Sequence, residues 1–330
     1  MKIFSAKITA LVTFLIGTFF LHAQKKVIWK ELDARALHID SLPYKKISGK
    51  DLSLFYFLPE HINVKKKYPA IVFIHGGAWT GGAASTFNSY AAYFSKRNIT
   101  AISIDYRLIK NKSDDIINCI ADCKSAIRFI KANAVFFHID PDKLVICGES
   151  AGGHLAACMQ LLDSYNDPAD DLRINTKPKA LILLNPVLNL AVSTFIKYVD
   201  PEVLFASGGS FDSSFIFKKN LTKAKKISPL FQLQNDFPPT LLINGIDDKV
   251  TPALFAQTFA DSINHYTHNN CRLVLWPDTG HAFAVPHYKS SELVVVNTVK
   301  EIEHFLTDLN ILKGKSIISV GNDSNWIIKR

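Results

Sequence analysis

Residues 145–158 read VICGESAGGHLAAC. An apolar run, Leu144 to Cys147, leads into Gly148-Glu149-Ser150-Ala151-Gly152, and small residues with helical spacing follow. Apolar side chains at consecutive positions fit a strand buried on both faces. Small residues around Ser150 fit a turn too tight for bulk. A strand, a sharp turn with a serine at its apex and a helix together lift a hydroxyl above a sheet. The first backbone N–H of such a helix faces the same space, where it stabilises negative charge. Ser150 is therefore a candidate nucleophile and Ala151 a candidate oxyanion donor. The competing possibility is a plain glycine-rich turn, and only the rest of the chain decides between the two.

The rest of the chain alternates. Leu52 to Phe57, Ala70 to Ile74, Ile99 to Ile104, Ala180 to Leu184, Thr240 to Ile243 and Arg272 to Trp276 read as strands. Asp115 to Ala134, Ala151 to Leu162, Ala253 to Ile263 and Leu293 to Leu309 read as helices. In the first of these helices Ile116, Ile120, Cys123, Ile127 and Ile130 fall on one stripe. Strand and helix alternating this regularly predict an α/β fold, a mostly parallel sheet covered on both faces.

Three strand ends carry the remaining chemistry. Ala70 to Ile74 runs into His75-Gly76-Gly77-Ala78-Trp79, where paired glycines let the backbone approach a ligand. That loop is the expected source of a second oxyanion donor. Arg272 to Trp276 leads to Gly280-His281-Ala282-Phe283, which places His281 at a strand's carboxyl end, the usual place for chemistry in such sheets. Leu241 to Gly245 leads to two adjacent acids, Asp247 and Asp248. Asp248 is favoured as the acid, because Asp248-Lys249-Val250-Thr251-Pro252 leads directly into a helix start. The order Ser150, Asp248, His281 is that of a serine, acid and histidine on this kind of sheet.

With IVFIHGGAW, ISIDYRL, DKLVICGESAGGHLAA, FPPTLLINGIDDKVTP and DTGHAF in this order, residues 71–283 resemble the α/β-hydrolase superfamily. Within it they are similar to bacterial feruloyl and acetyl-xylan esterases and to hormone-sensitive-lipase-like carboxylesterases. The resemblance implies an α/β-hydrolase fold with a small cap-like insertion. It implies a serine esterase with Ser150 as nucleophile, His281 as base and Asp248 as acid. Gly77, Ala78 and Ala151 would supply the oxyanion N–H groups, and Trp79 and Phe283 would touch substrate. Ala78 stands where the lipase-like branch has a third glycine, which favours the xylan-esterase or formamidase side. Glu149 replaces an aspartate common at that position and is expected to anchor its surroundings. Such chemistry calls for no metal and no organic cofactor.

The bulk numbers fit this picture. The 330 residues are 48% hydrophobic and 20% charged, an ordinary globular balance. The net charge of +9 is scattered, without an Arg-rich tract, so it reads as a solvated surface rather than a nucleic-acid site. Residues 1–23 have early lysines, Lys2 and Lys7, then an uncharged run to Ala23. That is the pattern of a secretory signal, and it predicts a secreted or periplasmic protein. A membrane contact is expected only if the segment is not cleaved. The catalytic domain is expected over 24–313, with a cap-like insertion over about 187–226 and a tail over 314–330. Export directs the substrate reading to a small-molecule or oligosaccharide ester, most of all acetyl or feruloyl groups on carbohydrate. The alternatives are a generic short-chain esterase, a peptidase and a non-catalytic binding module. The five cysteines read as small core residues rather than a disulfide framework.

Overall fold

The structure is a computed structural model that describes residues 26–29, 32, 39–110, 115–191, 221–268, 270–285 and 290–320. The signal-like segment 1–23, most of the expected insertion and the end of the tail lie outside the described residues. The strands are β1 (Val27–Ile28), β2 (Asp40–Ile47), β3 (Lys50–Phe57), β4 (Tyr68–Ile74), β5 (Thr100–Ile104), β6 (Ile139–Glu149), β7 (Ala180–Leu184), β8 (Thr240–Gly245), β9 (Cys271–Trp276) and β10 (Ile318–Ser319). The helices are α1 (Asn88–Lys96), α2 (Ile116–Ala132), α3 (Ala151–Leu161), α4 (Leu221–Lys226), α5 (Ala253–Tyr266) and α6 (Glu292–Asp308).

Eight strands form one sheet in the order β2-β3-β5-β4-β6-β7-β8-β9. The first two pairings, β2 with β3 and β3 with β5, are antiparallel, and the others are parallel. The interior strands are apolar throughout because both of their faces are covered. Their side chains alternate between two cores. On β4, Ala70, Val72 and Ile74 join one cluster, and Ile71 and Phe73 join the other. On β7, Leu181 and Leu183 go one way, and Ala180, Ile182 and Leu184 the other. The first core is roofed by α2, α3 and α5 through Ile120, Ile127, Leu155 and Phe259. The second is roofed by α1 and α6 through Tyr90, Phe94, Val299 and Ile302. The stripe expected on α2 lies wholly in the first core.

Two boundaries differ in detail from the sequence reading. The strand before Ser150 begins five residues earlier than expected, at Ile139. Ile139 is buried but residues 140–143 are partly exposed, so no unbroken apolar run marks the strand's start. At the start of the tail, Ile317 and Ile318 are buried in the second core, and β10 pairs in parallel with β1. The two ends of the described chain thus meet in a short sheet beside α1, where Trp29 packs edge-on against Tyr90. All five cysteines are free and buried.

Candidate active site

The parallel strands end together, and their loops bring distant residues to one point. Ser150 follows the last residue of β6 and precedes α3. Its backbone has φ 52 and ψ −117, a conformation that costs an L-residue on the order of 1–3 kcal/mol. The turn is pinned on both sides. The Ser150 N–H donates to the Leu184 carbonyl at 2.9 Å, and the Ser150 carbonyl accepts from His154 and Val187. The flanking glycines are required by space. A Cβ at Gly148 would lie 2.2 Å from the Gly152 oxygen, and one at Gly152 would lie 2.1 Å from the Ile74 oxygen. Each is far inside contact distance, so GxSxG is a packing demand on this turn.

The serine hydroxyl lies 2.9 Å from Nε2 of His281. Nδ1 of the same ring lies 2.8 Å from Oδ2 of Asp248. Both distances are those of good hydrogen bonds. Of the two adjacent acids, Asp248 turns inward and Asp247 is exposed. The Asp248 carboxylate is fixed in turn. Its Oδ1 accepts the N–H groups of Val250 and Thr251 at 2.8 and 2.7 Å, and its Oδ2 accepts the Thr251 hydroxyl at 2.8 Å. The three residues expected to work together therefore meet in one hydrogen-bonded line.

Electrostatics favour a proton on the histidine. Burial alone disfavours the charged ring. The Asp248 carboxylate, by charge and hydrogen bond, and the Glu149 charge outweigh it, so the His281 pKa lies above its ordinary value of 6.5. Glu149 is itself buried beside the serine. Burial raises its pKa, while the His281 charge and the Asn185 hydrogen bond lower it, Asp248 raises it and the Gly76 N–H lowers it; the net shift is upward.

The glycine loop after β4 makes an unusual turn. Gly77, Ala78 and Trp79 all have positive φ, at 105, 52 and 61. The loop closes on itself through the Gly77 carbonyl, which accepts from Thr80 and Gly81. Among the described residues, no backbone acceptor takes the N–H groups of Gly77 or Ala78. Ala151 opens α3, and the first N–H groups of a helix have no partner within it. All three expected oxyanion donors thus have backbone N–H groups without a backbone acceptor among the described residues. The loop is braced from β5: the Tyr106 hydroxyl donates to the His75 carbonyl at 2.9 Å, and the two rings stack.

Two expectations need correction. Trp79 and Phe283 do not offer a face to substrate. Trp79 is sealed in the first core, edge-on to His154, and Phe283 lies in the second core. Large aromatic surfaces at strand ends are driven under the loops by the same hydrophobic gain that builds the cores. His154 Nε2 donates to the Ile227 carbonyl at 2.7 Å, and burial pushes its pKa down to about 4, so it stays neutral.

The sequence reading passed over two residues. Asn185 directly follows β7. Its Nδ2 donates to Glu149 at 2.9 Å, and its carbonyl accepts the Thr251 hydroxyl at 3.1 Å. Thr251 itself ties Asp248 to that strand end. The available signal was a polar residue closing the apolar run ALILL, just ahead of Pro186. Among the described residues no cluster of side chains is arranged to hold a metal ion.

A parallel sheet with this serine turn, and with an acid and a histidine on later strand ends, is that of an α/β-hydrolase. The chain belongs to the BD-FAE family, whose match covers residues 56–263, more than half of its length. Esterase 2 of Thermogutta terrifontis in its apo form superposes with a TM-score of 0.71 at 30% identity, covering 84% of this chain and 97% of that one. The same esterase has been solved with propionate bound and phosphorylated by paraoxon. A probable isoprenylcysteine alpha-carbonyl methylesterase of Arabidopsis thaliana is 27% identical over 219 residues, 63% of this chain and 44% of the relative. An acetylxylan esterase of Xylanibacter ruminicola is 24% identical over 240 residues, 69% of this chain and 42% of the relative. The match thus spans less than half the length of these two relatives.

Proposed function

We propose that this protein is an exported serine esterase that removes acetyl or feruloyl groups from carbohydrate esters. The line Ser150–His281–Asp248, closed by contacts of 2.9 and 2.8 Å, carries the reading. Ser150 Oγ attacks the ester carbonyl carbon while His281 Nε2 takes its proton. The imidazolium formed is stabilised by Asp248. The oxyanion meets the N–H groups of Gly77, Ala78 and Ala151, each worth about 10²–10³ in rate where such donors have been removed. His281 then gives its proton to the leaving alcohol oxygen, and the acyl group stays on Ser150. A water, deprotonated by the same nitrogen, releases the acid and restores the serine.

The acetylxylan esterase relative and the signal-like segment support a carbohydrate ester as substrate and a secreted or periplasmic location. A second reading is a general short-chain carboxylesterase, supported by the propionate-bound neighbour. A substrate panel separates them: acetylated xylan, methyl ferulate, p-nitrophenyl acetate and a long-chain acyl ester. The carbohydrate reading expects the highest kcat/KM on acetylated xylan or methyl ferulate. A preference for long chains would sink it. Paraoxon should label Ser150, and an unlabelled, inactive protein would leave only a binding module of this fold.

A further inference from the structure

Asn185 is fully buried at the end of β7, with a backbone φ of 36. Asparagine tolerates that left-handed region better than most residues. Its carboxamide is used at one end only. Nδ2 donates to Oε1 of Glu149, whereas Oδ1 has no hydrogen-bond partner. An unpaired buried acceptor is a standing penalty that an apolar residue of similar size would avoid. The amide nitrogen also lies 3.5 Å from Nδ1 of His281. That contact is no bond when Nδ1 carries the hydrogen given to Asp248, since both are then donors. Asn185 therefore does not hold the ring directly.

Its effect passes through Glu149. The Glu149 carboxyl is wedged against the glycine loop, so that a Cβ at Gly76 would lie 2.0 Å from its Oε2. No ion pair to Glu149 occurs among the described residues. The donors supplied to the carboxyl are the Asn185 amide and the Gly76 N–H. The other ionisable groups around it are Asp248, Cys147, Tyr90 and Tyr106. Burial keeps the last three protonated. The two negative charges that His281 can feel are thus Asp248, which it bonds, and Glu149, which it does not.

We propose that Asn185 is a positioning residue: its carboxamide holds Glu149 as a carboxylate beside His281, and that charge stabilises the imidazolium formed when Ser150 gives up its proton. The role rests on the esterase reading above. The proton moves from Ser150 Oγ to His281 Nε2 and on to the leaving group, while Glu149 keeps its charge throughout. Asn185 serves the reaction without touching the reacting atoms.

The test compares wild type, Asn185→Gly, Glu149→Gln and the double variant in p-nitrophenyl acetate hydrolysis across pH. Glycine removes the carboxamide and accepts the positive φ. Each single variant should lower kcat on the order of tenfold with KM unchanged, the rate equivalent of one pKa unit. Each should move the acid limb of kcat/KM to lower pH, because His281 loses a charge that favours its protonated form. The double variant should match either single one, since both act through one carboxylate. A purely structural role predicts lower stability with an unmoved limb, and that result overturns the proposal. Additive losses in the double variant overturn it as well. Should Asn185→Gly fail to fold, Glu149→Gln decides alone, and an unmoved limb there has the same force. A wild type that neither turns over nor takes paraoxon on Ser150 brings down the esterase reading and this role with it. An active, labelled wild type beside an unshifted Asn185→Gly overturns this role alone.

Discussion

Two buried carboxylates in this molecule live under opposite rules. Asp122 on α2 has no exposed side-chain surface and is saturated with cations. Arg107 grips it with Nε at 2.6 Å and Nη2 at 2.9 Å, and Lys45 Nζ sits at 2.8 Å. Lys45 also reaches Asp167 at 2.6 Å, so the charges are balanced permanently. Glu149, at the end of β6, is as deeply buried and meets neutral donors, an amide and a backbone N–H. The cation near it is His281, and that charge exists only when the ring is protonated. The first arrangement fixes α2 to the loop after β5. The second leaves negative potential beside a base, which is costly at rest and favourable at the moment of proton transfer.

Substitutions at the two regions should separate rate from stability. The largest effect belongs to Ser150→Ala, which should lower kcat by about 10⁵–10⁶ by analogy with a serine hydrolase triad. Its thermal midpoint should be unchanged, since the turn keeps its backbone bonds. A residual activity within tenfold of wild type would remove Ser150 from the reaction. Asp248→Asn should cost about 10⁴ in kcat, because the ring loses its tautomeric anchor, whereas Asp247→Asn should be near neutral. The opposite result would exchange the two acids. Asp122→Ala should do the reverse: a loss of roughly 3 kcal/mol in stability, read by urea denaturation, with kcat kept below the new midpoint. That figure sits at the low end for a broken buried pair, because Arg107 and Lys45 reach solvent and can rehydrate. A catalytic loss without a stability loss would erase the contrast between the regions.

The smallest effect is a displacement along the pH axis. The base must be neutral to accept the serine proton, so kcat/KM should rise with pH as His281 loses its own proton. Its pKa lies above 6.5, and the midpoint of that rise should lie above 6.5 too. A midpoint below 6 would mean that burial outweighs Asp248 and Glu149 at this ring.

The site was only partly legible in the sequence. Ser150, Asp248 and His281 each follow an apolar run that ends in a turn, and their order along the chain matches the order of a parallel α/β sheet. Local chemistry exposes such residues: Gly148 and Gly152 are forced by a turn that admits no Cβ, and Asp248 by a carboxylate that caps its own loop. Asn185 carries no comparable mark. Its partners, Glu149 and Thr251, lie 36 and 66 positions away, and a single polar residue after a strand resembles any loop residue. Trp79 and Phe283 misled for a related reason, since an aromatic beside a catalytic loop looks the same in sequence whether it faces the pocket or the core.

The sequence by itself determined the alternation of strand and helix, the two-faced burial of the central strands and the strand ends that carry Ser150, the acid pair and His281. These follow from periodicity and from steric rules that act within a few residues. Only the tertiary structure decided which acid turns inward, where the aromatic rings go and how Glu149 comes to lie unbalanced between Asn185 and His281. Those outcomes depend on which strand ends become neighbours. Parallel pairing through β4, β6, β7 and β8 brings them together, and no local pattern records the distances that result.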